Sequence, residues 1–150
     1  MKTILLAVQN RLEEVASLNY IDEDTGQLDN YSPHPPVQWP CGLIDFTGGT
    51  FSNIGIDHNS NPINRQMGEE TLTITIANLK LSPGSAKASN QQRENAFAIW
   101  DIIEDVHSKI HGWSPGGNVG KFIRTRRGRV RRDDGIQEYV VTYTLGLSNV

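Results

Sequence analysis

Six arginines crowd one short stretch of this chain: Arg124, Arg126, Arg127, Arg129, Arg131 and Arg132. Guanidinium groups at this density recognise carboxylates and phosphates, often two hydrogen bonds at a time, so the chemistry on offer is capture of an anionic partner. They are six of fourteen basic residues, and the net charge is −3, so the chain without them stands at −9. A molecule divided this way attaches head to tail, or to a polyanion, through one patch. Strand periodicity puts Arg124 and Arg126 on one face and Arg127, Arg129 and Arg131 on the other. With both faces charged, the arm must protrude, lie at a sheet edge or meet an acidic partner. Three readings stay open: a solvated edge, salt bridging to another protein, and contact with nucleic acid. Against the last, the ribbon has no interleaved aromatic residues and the chain as a whole is acidic.

Other spacings invite chemistry and fail to complete it. Ser-Pro-Gly-Gly-Asn-Val-Gly-Lys at 114–121 has the flavour of a phosphate loop. The P-loop pattern, however, would place its first glycine at Pro115 and its hydroxyl residue at Phe122, and it needs a preceding strand and a following helix. His107 and His111 stand one helical turn apart with Glu104 before them, a spacing that suits two metal ligands, but no third ligand has a defined place. Asp57 and His58 lie in a polar loop with no serine or cysteine nucleophile motif to serve. Asp101, Glu104 and Asp105 fall off the apolar stripe of their helix and read as a solvated face. Cys41, between Pro40 and Gly42, reads as a small buried thiol, and a lone cysteine excludes an internal disulfide. The expectation is therefore no catalytic residue, no cofactor, no metal and no enzyme.

The elements that position these residues are plainly patterned. At 150 residues the chain is expected to form one domain, with Gly, Asn, Pro and Ser enough for long loops. Residues 3–18 predict an amphipathic helix capped by Thr3, with Ile4, Val8, Leu12, Val15 and Ala16 at helical spacing. Its apolar start is too short for a secretory segment, and no stretch reaches membrane length, so a cytoplasmic protein without membrane contact is expected. A short strand is expected near 18–21, then an acidic turn at 22–26. The proline-rich stretch 32–42 must be extended and feeds a strand at 43–46, continuing towards Ile56. Residues 57–68 have loop composition. Leu72, Ile74 and Ile76 alternate with threonines in a strand over 70–79. Helix two starts near Ser89, which has capping-box spacing to Gln92, carries Ala96, Ile99, Ile103, Val106 and Ile110 on one stripe, and stops at Gly112. The end is a hairpin: arms 121–132 and 136–147 about an Asp-Asp-Gly turn, with Tyr139, Val141, Tyr143, Leu145 and Leu147 facing the core.

This order of elements resembles the tail-terminator, or tail-completion, proteins of long-tailed bacteriophages and prophages. The resemblance lies in the N-terminal helix, the segment Tyr-Ile-Asp-Glu-Asp-Thr-Gly-Gln-Leu-Asp at 20–29, and Pro-Val-Gln-Trp-Pro-Cys-Gly-Leu-Ile-Asp-Phe at 36–46. It continues through the 72–79 strand, helix two and the closing hairpin. The first two segments are most similar to small proteins of Bacteroides-type prophages. The resemblance implies an α+β subunit, a mostly antiparallel sheet of about four strands with two helices packed on one face. It implies a ring of identical subunits, six as a rule, that ends tail-tube growth and joins the tail to the head–neck. The implied partners are the chain itself, tail-tube and neck proteins, and DNA passing through the channel. The implied location is the bacterial host cytoplasm during assembly, then the virion tail.

The family carries no catalytic residues to transfer. In such a ring the arginine arm of one subunit is expected to meet acidic or polar residues of the next. The candidates are Asp22, Glu23, Asp24 and Asp29, with Asp57, His58, Asn59 and Asn61 from the polar loop. Two alternatives remain at this stage: a nucleic-acid-binding protein using the arginine-rich hairpin, and a head–tail connector of the neck.

Overall fold

The computed structural model describes residues 1–29 and 35–150. Helix α1 spans Lys2–Glu13 and buries Ile4, Val8 and Leu12, four residues apart on one stripe. Met1, not Thr3, is its N-cap, and no side chain caps it. The helix ends five residues before the expected 18. Past Glu13 the chain tightens into single turns, Val15 N–H donating to Leu12 O at 2.9 Å and Leu18 N–H to Val15 O at 3.1 Å. These turns still carry Val15 and Leu18 into the core, which is why their apolar spacing reads as more helix.

Strand β1 (Tyr20–Glu23) and a single 3₁₀ turn (Gln27–Asp29) lead to the proline-rich segment, whose first residues, 32–34, lie outside the described residues. Strands β2 (Cys41–Ile56) and β3 (Asn64–Leu79) follow, sixteen residues each. The expected loop at 57–68 is thus shorter: residues 57–63 turn, and Asn64 to Gly68 are strand. The composition misleads because this end of β3 has no buried face on which apolar alternation would be imposed. Asp57 anchors the turn, its carboxylate accepting Asn59 N–H at 3.0 Å and Ser60 Oγ–H at 2.8 Å. The Asn59 N–H above all holds the Asp57 carboxyl below its ordinary pKa.

Ser89 N-caps helix α2 (Asn90–Ala96) through the expected capping box: its side chain accepts Gln92 N–H at 3.2 Å, and Gln92 Oε1 accepts Ser89 N–H at 3.2 Å. Ser89→Ala is expected to lower stability by about 1 kcal/mol, read as a shift of the urea midpoint at constant slope. The single expected helix is divided at Phe97, which leaves helical geometry before α3 (Ala98–Ile110) begins. Helix α3 buries Ile99, Ile102, Ile103, Val106 and Ile110. Gly112, at φ +75°, reverses the chain after it. Strands β4 (Ile123–Val130) and β5 (Ile136–Leu147) close the chain as the expected hairpin.

The fold is α+β as expected, with five strands in the order β1-β2-β3-β5-β4. Only β1 runs parallel to its neighbour; the other three pairs are antiparallel. Helices α1 and α3 pack on one face over Ile44, Leu72, Ile74, Ile76, Val141, Tyr143 and Leu145. The opposite face has a smaller cluster, Leu28, Cys41, Leu43, Ala77 and Ile136, with Val37 and Trp39 against it. Cys41 is the small buried thiol expected, and burial there pushes its thiol up to about 12.

Candidate functional site

Strand β4 is one edge of the sheet, and it holds the arginines in an arrangement that simple alternation misses. Arg124 pairs with Tyr143 and Arg126 with Thr142, so Thr125 is an extra residue, a bulge. The bulge shifts the phase of everything after it. Arg127 and Arg129 lie opposite Val141 and Tyr139, both of which contribute to the helix-side core, as does Tyr143. Arg124, Arg127 and Arg129 therefore share the helix face, and Arg126 takes the other, which corrects the expected division. The guanidinium of Arg127 sits 4.7 Å from the Trp100 ring and that of Arg129 5.8 Å from the Tyr139 ring. Aromatic support is present after all, supplied by α3 and β5 and not interleaved in the ribbon. Arg131 is exposed just beyond β4.

Arg132 stands apart from the other five. It is ion-paired to Asp134 at 2.6 Å and Glu138 at 3.0 Å, and donates to Leu28 O at 2.6 Å. These contacts tie the hairpin turn to the 3₁₀ turn across the small core. Its role in the structure is internal.

The opposite edge is acidic. Asp22 and Glu23 are exposed on β1, and Asp24 follows with its N–H on Ile44 O. Asp29 ends the 3₁₀ turn that lies over the small core, its neighbour Leu28 accepting from Arg132, and is not on this edge. Asp57, His58, Asn59 and Asn61 lie at the tip of the β2–β3 ribbon, at the far end of β2 from β1. Twelve strand residues separate the two groups, roughly 40 Å at 3.3 Å per residue. They share an edge, but not one patch.

Between the two groups the edge is open. Strand β1 pairs with β2 only at Cys41–Ile44, and among the described residues no strand pairs with the outer side of residues 47–56. Beyond the helices the β2–β3 ribbon exposes Phe51, Ile54, Ile56, Ile63 and Met67, the most open being Ile56 at 64%. Sequence reasoning also missed Glu70. Its side chain is 7% exposed, and it folds over Gly49 so closely that a Cβ there would overlap the carboxyl group. Among the described residues it has no ion-pair partner. The adjacent glycines at 48 and 49 are the sequence signal that could have found this close approach.

The remaining candidates resolve into structure. His107 and His111 stack at 4.6 Å between ring centres. His111 Nδ1 accepts the Arg124 N–H at 3.1 Å, and His107 Nδ1 lies 3.4 Å from the Tyr143 hydroxyl. Burial first, then the charge of Arg124, holds His107 below its ordinary pKa, and burial pushes Tyr143 up to about 12. No group of three or more His, Cys, Asp or Glu side chains is placed to hold a metal ion among the described residues. Asp101, Glu104 and Asp105 are exposed, as expected. The glycine-rich run 114–121 links α3 to β4, with Gly116 and Gly117 at positive φ. No helix is long and apolar enough to cross a membrane among the described residues.

No family model matches the chain. No curated protein matches it. Among solved structures it is similar to a chain of the virion of native gene transfer agent (GTA) particle, at 8% identity and a TM-score of 0.44, over 97% of this chain and 94% of that one.

Proposed function

We propose that this chain is a structural subunit of a phage-like virion, acting as a tail terminator. Copies join head to tail in a closed ring, six by the family resemblance, that ends tail-tube growth and presents a surface to the neck. The observation that carries this reading is the charge polarity of the sheet. Asp22 and Glu23 line one edge and Arg124, Arg126, Arg127 and Arg129 the other, so one copy's edge complements the next copy's. Contacts of this heterologous kind generate rings when the rotation closes. The uncovered apolar side chains of the β2–β3 ribbon supply a second surface that association would remove from water.

Native mass by light scattering across protein concentrations, with negative-stain images of the same samples, tests the proposal. The expected result is a ring several times the 16.7 kDa chain, dissociating as salt rises because edge charges are screened. A strict monomer at every concentration, alone and with isolated tail tubes, would count against it.

A second reading has its own observation. Arg124, Arg127 and Arg129 form one row, two of them braced on aromatic rings, which is a surface for a polyanion. Binding of DNA by the monomer, with affinity falling steeply in salt, would favour that reading. The same row in a ring would face DNA in the channel.

A further inference from the structure

We propose that residues 47–56 of β2 pair antiparallel with β4 of a second copy, the Glu70 carboxylate receiving that copy's Arg127 or Arg129. This rests on the self-assembly proposed above and moves the acidic partner of β4 from Asp22 and Glu23 to Glu70, because residues 41–44 of β2 are already paired with β1 and only 47–56 are open to a further strand.

An edge strand with free N–H and C=O groups is a template for another chain, and proteins normally cover, shorten or charge such edges. Strand β4 carries charge, but residues 47–56 carry none; they hold Phe51, Ile54 and Ile56, and glycines at 48, 49 and 55. At its tip, where Gly55 and Ile56 pair only with Arg65 and Asn64, the ribbon is two-stranded, an arrangement marginal in water without a further strand or layer.

Strand direction and length fit the pairing. With β1 and β2 pointing one way, the antiparallel steps β2-β3-β5-β4 make β4 point the other way. Within one copy β4 lies level with residues 41–48 of β2, Val130 with Cys41 and Ile123 with Gly48. It meets the open edge of the next copy when the strands are tilted to the ring axis and each copy is displaced roughly 20–26 Å along them. The two strands then meet antiparallel, the more stable ladder. Eight residues of β4 cover roughly 26 Å and the open edge roughly 33 Å.

Charge matches on both faces. Glu70 pairs with Leu145, a helix-side core residue, so its carboxylate over Gly49 lies on the helix face, towards the open edge. Arg127 and Arg129 are on the helix face of β4. Glu69 is exposed on the other face opposite Thr50, where Arg126 projects from β4. Phe51, two residues along from Gly49 and half exposed, offers a ring on which the second guanidinium can rest. Glu70 is largely buried and has no ion-pair partner among the described residues, so an incoming arginine supplies its carboxylate with a charged hydrogen-bond donor.

Hydrogen exchange of the full chain, assembled and diluted to monomer, tests the pairing alongside light scattering. The expected result is slower amide exchange in both 47–56 and 123–130 on assembly. E70Q, which keeps the side chain's shape, and R127E/R129E are each expected to raise the dissociation constant about tenfold or more. Circular dichroism checks that both variants fold. Assembly that protects other segments and leaves these two unchanged would overturn the pairing while the ring stands. A chain that stays monomeric at every concentration, alone and with isolated tail tubes, would overturn both. Protection of 123–130 only when DNA is added would overturn the pairing in favour of polyanion binding.

Discussion

Phe122→Ala is expected to destabilise the protein by about 4 kcal/mol, the middle of the range for truncating a buried aromatic. The side chain is fully buried and stacks on Trp113 with ring centres 5.7 Å apart and planes at 9°. Its backbone is tied twice to the end of α3, donating to Trp113 O at 2.9 Å and accepting Gly112 N–H at 2.8 Å. The ring thus fills the corner where α3 hands the chain to β4. With the backbone pinned on both sides, the corner has little freedom to collapse into the space left by the ring. The urea midpoint should fall at unchanged slope. A loss under about 1.5 kcal/mol would mean that Trp113 moves in to fill the cavity. Assembly tests should avoid this position, since any loss of ring formation there would reflect unfolding.

How legible the fold was depended on whether each segment has one buried face. Strand β5 alternates Tyr139, Val141, Tyr143, Leu145 and Leu147 inward, and every one is buried. The stripe Ala96, Ile99, Ile103, Val106 and Ile110 is buried in full for the same reason. Burial enforces period, and period is what a sequence displays. The outer half of the β2–β3 ribbon has no such face, so Asn64, Arg65 and Gln66 show loop composition while sitting in a strand. The bulge at Thr125 is set by pairing with β5, a non-local contact that the run of arginines does not encode. The phase of the arginine row was therefore out of reach, although an edge was one of the three places that charge on both faces allowed. Glu70 was hidden differently. It occupies an inward position of a strand whose other inward residues, Leu72, Ile74 and Ile76, are apolar, and the space it fills is provided by Gly49 twenty-one residues earlier.

Arg132→Ala is expected to cost about 3 kcal/mol at neutral pH, the lower end for breaking a largely buried ion pair. The guanidinium has 16% of its side chain exposed and Glu138 only 10%, so removing the arginine strands a carboxylate in the small core. The same substitution drops the hydrogen bond to Leu28 O and leaves Asp134 without its partner. The pH dependence separates this electrostatic loss from lost packing. Hydrogen bonding to Arg132 holds Asp134 below its ordinary 3.8, so its contribution is fully present above that value and disappears as pH falls through the lowered one. Glu138 runs the other way: burial outweighs Arg132 and raises its pKa above the ordinary 4.5. That raised value costs stability at neutral pH, and the cost is relieved as pH falls through it. Without Arg132, Glu138 rises further and gains more from acid, while Asp134 has nothing left to lose. The gap between the native chain and R132A should therefore narrow in urea titrations first as pH falls from 7 towards 4.5, through Glu138, and again below pH 3.8, through Asp134. A gap of constant size would assign the loss to the arginine's aliphatic stem against the core and not to its charge.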